Sequence, residues 1–142
     1  MTRSEVREHI FKLLFRVEFN EADEMPQQLT LYFENPVADE EAKKKTAVIS
    51  EKDEQYIRDK YAKIVEVIPE LDEMIDEAAK GWKATRLGKV DLTILRLAVY
   101  EMKYDDDIPV SVAIDEAVEL AKKFGQDESS AFINGVLAKI AK

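Results

Sequence analysis

The sequence VDLTILRLAVYEM occupies residues 90–102 and decides the fold of this chain. Its apolar side chains fall on several sides of a helix instead of forming one stripe. A helix that is hydrophobic nearly all round is buried among other elements. The stretch therefore predicts a central helix, with Leu95, Ala98 and Val99 in the deepest part of the core.

Amphipathic helical patterns lie on both sides of this central segment. Their apolar residues recur at intervals of three and four, which is the period of a helix that packs by one face. We expect these helices at about 3–21, 50–68, 69–81, 110–125 and 127–140, with a short second helix or turn at about 29–33. No segment alternates convincingly as a strand does, and four Gly and four Pro are too few for a many-turned β fold. The sequence thus predicts an all-α fold.

Local signals refine the bounds and faces of these helices. A capping-box pattern begins at Ser50, and Pro69 suits the first turn of the helix that follows. In the C-terminal part, Val112 is expected to face inward, Asp127 to cap the last helix, and Gly135 to permit close packing.

One polar stretch divides the chain. Asn35-Pro36 interrupts the helical pattern, and residues 37–47 (VADEEAKKKTA) are polar and charged. A length of 142 residues suits a single domain. We therefore expect one domain over the whole chain, built from an N-terminal helical subdomain at about 1–45 and a C-terminal one at about 50–142.

The net charge of −9 is distributed unevenly. Acidic residues dominate residues 23–80 and 105–128, whereas residues 1–22 are neutral and residues 81–104 carry a net +3. The overall acidity predicts repulsion from nucleic acid. The neutral and basic stretches nevertheless leave room for a local anion-binding face.

Several classes of protein are excluded by what the sequence lacks. The absence of Cys excludes disulfide scaffolds and thiol nucleophiles. No run of about 18 apolar residues is present to span a membrane. The charges at Arg3, Glu5, Arg7 and Glu8 do not suit a signal peptide.

The sequence also offers little catalytic chemistry. The one histidine, His9, follows Glu5 by four residues, and two such groups do not make a metal site without further ligands. We expect His9 to be a solvated helix residue. Asp105-Asp106-Asp107 indicates a polar turn, and Gly88-Lys89 lacks the Ser or Thr of a phosphate-binding loop. We therefore predict no enzyme activity, no metal and no cofactor.

The first helix carries features that suit binding. Arg3 and Arg7 share a helix face at i, i+4, and Phe11, Phe15 and Phe19 form a stripe at i, i+4, i+8. Taken alone, each set has an ordinary interpretation, because surface arginines are common and aromatic stripes more often belong to a core. The pattern of the whole chain changes that interpretation.

Four segments carry this wider pattern. They are residues 7–15 (REHIFKLLF), the central stretch 90–102, residues 108–125 (IPVSVAIDEAVELAKKFG) and residues 129–137 (SSAFINGVL). Together they resemble the NusB family of bacterial transcription antitermination factors. The last three segments are highly specific in combination, whereas residues 23–80 resemble the family only in helical pattern.

The resemblance implies a fold and a function. NusB-like proteins are all-helical, with two small three-helix subdomains packed across one another. They pair with NusE, a small-subunit ribosomal protein that doubles as an elongation factor. The heterodimer binds the boxA element of nascent RNA and joins an antitermination complex with RNA polymerase, notably on ribosomal RNA operons. The resemblance thus implies a cytoplasmic, non-enzymatic factor.

The resemblance also implies site residues. The residues expected on the RNA side are Arg3, Ser4, Arg7, Phe124, Ser129 and Phe132. The residues expected on the NusE side are Phe11, Phe15, Phe19, Asp91 and Glu128. Arginines would contact phosphates and bases, and aromatic side chains suit stacking with single-stranded RNA.

The chain departs from the family pattern in two places. Ser4 and Glu5 interrupt the run of arginines that is usual in the first helix, and Phe15 lacks the hydroxyl of the usual Tyr. Because phosphate contacts supply much of the affinity for nucleic acid, this chain alone is expected to bind RNA weakly. The heterodimer with NusE is then the RNA-binding unit.

Two other functions stay open at the level of sequence. The same helical fold precedes the catalytic domain in some RNA cytosine methyltransferases, so an accessory RNA-binding domain is one alternative. The other is a self-associating helical module, in which the phenylalanine stripe forms a homodimer interface and masks the RNA face.

Overall fold

A computed structural model describes residues 1–34, 49–79 and 87–142 of the chain. Every regular element within these ranges is helical, which confirms the all-α fold predicted from the sequence. The helices are α1 (Arg3–Arg16), α2 (Met25–Glu34), α3 (Glu51–Glu66), α4 (Ile68–Ala78), α5 (Lys89–Tyr104), α6 (Val110–Phe124) and α7 (Ser129–Ala141), with a 3-10 turn at Ala22–Glu24.

The chain divides into two compact units, Met1–Lys63 and Ile64–Lys142. The boundary between them falls within α3, whereas the sequence places the division at about residues 45–50. The polar connection at 37–47 lies outside the described residues, as does the end expected for the fourth helix near residue 81. The subdomain bounds therefore stay a prediction.

In the N-terminal unit, α1 is shorter than its pattern predicts and ends at Arg16. The backbone N–H groups of residues 17–19 bond to carbonyls three residues back, at 3.0–3.2 Å. This is the tighter geometry of a 3-10 turn. The Asn20 side chain also donates to the Arg16 carbonyl oxygen at 2.9 Å, so this helix-end carbonyl accepts a second hydrogen bond beside the one from the Phe19 N–H.

Helix α2 and the part of α3 up to Lys63 belong to the same unit, and an arginine connects them. The Arg58 guanidinium lies 4.6 Å from the centroid of the Phe33 ring, and its Nε donates to Glu54 Oε2 at 2.9 Å. At the start of α3, Ser50 Oγ accepts a hydrogen bond from the Asp53 N–H at 3.1 Å. The capping role predicted for Ser50 is therefore confirmed.

In the C-terminal unit, α5 is the buried centre. Every residue from Leu92 to Glu101 is buried, and the three residues predicted as deepest, Leu95, Ala98 and Val99, are at most 2% exposed. Arg96 is tied to α4, because its Nε and one of its terminal nitrogens donate to the two carboxylate oxygens of Asp72, each at 2.8 Å. Pro69 occupies the first turn of α4, as predicted.

Three expectations for α6 and α7 are wrong. Val112 is 40% exposed, because the buried stripe of α6 runs one position later, through Ala113, Ala117, Leu120 and Ala121. Asp127 does not cap α7, since the N-cap residue is Glu128 and its side chain makes no capping bond. Gly135 does not allow a close approach, because a Cβ placed there would have no neighbour within 4 Å.

Candidate functional site

The phenylalanine stripe of the N-terminal unit runs from the core into solvent. The Phe11 and Phe15 rings are stacked with centroids 6.1 Å apart, and Phe15 meets Phe19 edge-on at 5.0 Å. Phe11 is 3% exposed and Phe19 is 59% exposed, with Phe15 half-buried between them. Phe11 is thus a core residue in this structure, and the surface available to a partner is carried by Phe15 and Phe19.

The polar residues expected on the RNA side of α1 differ in exposure. Arg3 and Ser4 open the helix and are exposed. Arg7 lies one turn further on and is only 4% exposed, so it presents almost no surface to a ligand. Arg3 and Phe15 are 12 residues apart on α1, or roughly 18 Å at the rise of a helix. The exposed Arg3 and the half-buried Phe15 therefore lie at opposite ends of α1.

His9 is not the solvated residue that its sequence context suggests. It is buried, and a hydrogen bond joins its Nδ1 to the Tyr32 hydroxyl of α2. Burial lowers the pKa of His9 below its ordinary 6.5, and the nearby Lys12 lowers it further. Burial also raises the pKa of Tyr32. A neutral imidazole and a neutral phenol therefore join α1 to α2.

Arg16 strengthens the same connection between α1 and α2. Its guanidinium lies 5.1 Å from the centroid of the Tyr32 ring. One of its terminal nitrogens donates to the Gln28 carbonyl oxygen at 3.3 Å and to Gln28 Oε1 at 3.1 Å. Sequence patterns could not reveal this network, because His9 and Tyr32 are separated by 23 residues.

In the C-terminal unit, the predicted RNA-side residues cluster at the turn between α6 and α7. Phe124 ends α6 and Phe132 follows within the first turns of α7, and both are half-buried. Ser129 lies between them and is 3% exposed. Lys123 was not singled out from the sequence, although its Nζ lies 5.5 Å from the centroid of the Phe124 ring. A cation beside an aromatic ring suits contact with a nucleic-acid backbone and base.

The acidic residues expected on the NusE side occupy two places in this unit. Glu128 is exposed at the turn between α6 and α7, and Asp91 is half-buried in the first turn of α5. The acidic triplet Asp105-Asp106-Asp107, which follows the end of α5, forms a turn, as predicted. In it, the Asp107 N–H donates to Asp105 Oδ1 at 3.1 Å.

Within residues 1–34, 49–79 and 87–142, no group of three or more His, Asp or Glu side chains is placed to hold a metal ion. None of the helices in these ranges is long and apolar enough to cross a bilayer.

Comparison with known proteins identifies relatives along nearly the whole chain. The NusB family model matches residues 4–142. The transcription antitermination protein NusB of Agathobacter rectalis is 52% identical over 144 residues, which cover 99% of this chain and 100% of the relative.

Solved structures agree with this match. T. maritima NusB has a TM-score of 0.81 at 34% identity, covering 99% of this chain and 91% of that one. A chain in the crystal structure of antitermination factors NusB and NusE in complex with dsRNA has a TM-score of 0.72 at 23% identity, covering 99% of this chain and 98% of that chain. At 23% identity, this second match shows that the two chains share a fold.

Proposed function

The chain belongs to the NusB family, and from this membership we propose that it is a transcription antitermination factor that pairs with NusE and binds boxA RNA. The family match along nearly the whole chain carries this proposal. A protein of the same fold occurs in complex with NusE and dsRNA, which supports pairing with NusE and binding of RNA. The heterodimer then joins the RNA polymerase antitermination complex on nascent transcripts, notably those of ribosomal RNA operons.

Each unit offers its own candidate RNA contacts, at the start of α1 in the N-terminal unit and at the turn between α6 and α7 in the C-terminal unit. Arg3 and Ser4 are exposed and offer a charge and a hydroxyl to phosphate oxygens. Phe124 and Phe132 offer half-buried rings for base stacking, which is tolerant of sequence because every base has a flat face. Arg7 is buried, so we assign it to the support of α1 instead of to a phosphate contact.

The NusE side is proposed to be anchored by Phe15 and Phe19. Aromatic side chains near the centre of an interface supply much of its binding energy. Asp91 and Glu128 add carboxylates, which would attract a basic ribosomal protein and mainly tune the association rate. Phe11 is buried and stacks on Phe15, so we assign it to the core of the N-terminal unit instead of to a contact with NusE.

The net charge of the chain supports a role for NusE in RNA binding. A net charge of −9 opposes the approach of RNA, and Arg3 is one exposed cation at the start of α1. We propose that NusE supplies much of the positive charge, so that the heterodimer is the RNA-binding unit. The factor is proposed to act without catalysis and in the cytoplasm, where nascent bacterial transcripts are made.

A titration of labelled RNA tests the proposed function. A boxA RNA and a scrambled RNA of equal length are titrated with this chain alone, with NusE alone and with the mixture, and fluorescence anisotropy is measured. We expect tight, boxA-selective binding with the mixture and weak binding with this chain alone. Equal binding of the scrambled RNA by the mixture would contradict the proposal.

Gel filtration with and without NusE tests the partner separately. A one-to-one complex with NusE is expected. A homodimer of this chain that persists in the presence of NusE would favour the self-associating module instead.

A further inference from the structure

The turn between α6 and α7 separates the two aromatic residues of the proposed RNA side. Phe124 is the last residue of α6, and Phe132 is the fourth residue of α7. The Phe132 N–H donates to the Glu128 carbonyl oxygen at 3.1 Å, so Phe132 is fixed to the start of its helix. The placement of one ring relative to the other therefore depends on how residues 125–128 turn.

Ser129 closes this turn with two hydrogen bonds to a single residue. Its Oγ accepts from the Gln126 N–H at 2.9 Å, and its own N–H donates to the Gln126 carbonyl oxygen at 3.0 Å. Ser129 is 3% exposed. Its hydroxyl is thus engaged within the turn and is shielded from a ligand in solution.

Gly125 fits against Ser129 with no room for a side chain. A Cβ on Gly125 would lie 2.7 Å from both Cβ and Oγ of Ser129, and 2.8 Å from the Ala121 carbonyl oxygen. The φ angle of Gly125 is −92°, which residues with side chains also adopt. Glycine is therefore required at this position because there is no space for a Cβ, and not because of the backbone conformation.

We propose that Ser129 is a positioning residue for RNA binding. Together with Gly125 it fixes the turn that sets the places of Phe124 and Phe132, and it does not itself touch the RNA. This inference rests on the proposed function, and it replaces the direct RNA contact that the family resemblance implies for Ser129. A loosened turn lowers RNA affinity because bases then stack on rings that are no longer held in place.

A loosened turn is expected to affect RNA binding and NusE binding to different extents. The proposed NusE anchors, Phe15 and Phe19, belong to the N-terminal unit. Of the NusE-side residues, only Glu128 lies in the turn, and it is exposed. Rim charges of this kind contribute little to affinity. Loosening the turn is therefore expected to change NusE affinity by less than about twofold.

The test compares Ser129→Ala with Ser130→Ala in the complex with NusE. Ser130 is the adjacent, half-buried serine, so it is a matched control for the loss of one hydroxyl on α7. We expect Ser129→Ala to weaken boxA RNA binding by about fivefold to tenfold, and Ser130→Ala to leave it within about twofold. NusE affinity is measured by calorimetry on the same proteins.

Two measurements without RNA show whether the turn has loosened. Hydrogen exchange of the Gln126 amide should accelerate in Ser129→Ala, because its acceptor has been removed. The NMR signals of the Phe124 and Phe132 rings should shift in the same variant and not in Ser130→Ala. Gly125→Ala, which pushes Ser129 away while keeping its hydroxyl, should reproduce both changes and the loss of RNA affinity.

Three outcomes would contradict the role proposed for Ser129 or the function on which it rests. Equal RNA affinity of Ser129→Ala and Ser130→Ala would remove any role for Ser129. A loss of RNA affinity with unchanged Gln126 exchange and unchanged ring signals would mean that Ser129 contacts the RNA directly. If the unmodified complex fails to bind boxA RNA, the proposed function itself is wrong. This measurement comes before any variant is compared, so the two kinds of failure are distinguished.

Discussion

Helices α1 and α5 both carry apolar side chains on more than one face, but they differ in how much of this apolar surface is buried. Helix α5 buries every residue from Leu92 to Glu101. Helix α1 buries one apolar face and Phe11, and the buried residues of that face are Val6, Ile10, Leu13 and Leu14. Phe15 stays half-buried, and Phe19, just beyond the helix, is mostly exposed. Apolar surface that the core does not take up marks an interaction surface. The same sequence pattern therefore predicts a core in one helix and a partner surface at the end of the other.

The largest expected effect tests the buried member of this comparison. Leu95→Ala should lower the free energy of unfolding by about 2–5 kcal/mol, because truncation of a fully buried leucine loses packing and leaves a cavity. Urea denaturation monitored by circular dichroism measures the change. Phe19→Ala is the control, and its effect should stay within about 0.5 kcal/mol because the ring is mostly in solvent. If both variants lose the same free energy of unfolding, Phe19 belongs to the core and this end of the phenylalanine stripe offers no exposed apolar surface to a partner.

The next largest expected effect tests the part of the phenylalanine stripe that α1 leaves outside the core. Phe15→Ala should weaken NusE binding by about 2 kcal/mol or more if Phe15 is an interface anchor, which is roughly thirtyfold in Kd. Isothermal titration calorimetry measures this affinity, and thermal melting of the free protein is recorded beside it.

Phe11→Ala is the matched control on the same stripe. Because Phe11 is buried, its truncation should cost about 3–5 kcal/mol of stability while the folded protein still binds NusE. If instead Phe15→Ala lowers the melting temperature by many degrees and binds NusE normally, Phe15 is structural and the proposed interface is wrong.

The fold was largely predictable because its signals are local. All-round hydrophobicity identified α5 as the buried centre, and the cap at Ser50 and the proline at the start of α4 were visible as single residues. The phenylalanine stripe was also visible. Periodicity could not tell which of its rings enters the core, because two apolar faces of α1 compete for the same interior. Burial of Phe11 and exposure of Phe19 depend on the packing of the whole unit.

The features that were missed depend on residues distant in sequence or on the shape of a turn. His9 was expected in solvent because its partner, Tyr32, lies on another helix. Arg7 shares a helix face with Arg3 in the sequence pattern, yet only Arg3 is exposed. Ser129 was expected to contact RNA, and its engagement within the turn follows from backbone geometry that composition does not encode.

A smaller effect concerns the buried polar connection of α1. Burial lowers the pKa of His9 below its ordinary 6.5, so the unfolded chain binds a proton at a higher pH than the folded protein does. Stability from neutral His9 is therefore complete above pH 6.5 and is lost as the pH falls through that value toward the folded pKa.

Urea denaturation of the unmodified protein and of His9→Gln, at about pH 7.5 and about pH 5.5, measures this contribution. Acidic side chains that titrate in both proteins cancel in the comparison. We expect the unmodified protein to lose more stability on acidification than His9→Gln does. Parallel losses would show that His9 is protonated with equal ease in the folded and unfolded states.

The smallest expected effect concerns the other end of α1, where the exposed residue is charged instead of aromatic. Arg3→Ala should weaken boxA RNA binding by the NusE complex and flatten its dependence on the logarithm of salt concentration by about 0.7 units. This is the slope that one phosphate contact contributes on single-stranded nucleic acid. Stability should hardly change, since alanine suits an exposed helical position.

Two variants on the same helix make this prediction specific. Lys12→Ala removes the same charge, but Lys12 pairs with Glu8 at 3.8 Å and lies mid-helix, so it should leave the salt slope unchanged. Arg7→Ala should lower the melting temperature more than Arg3→Ala does, because Arg7 is buried. If Lys12→Ala and Arg3→Ala flatten the slope equally, the effect comes from the net charge of the protein. The start of α1 would then hold no phosphate contact.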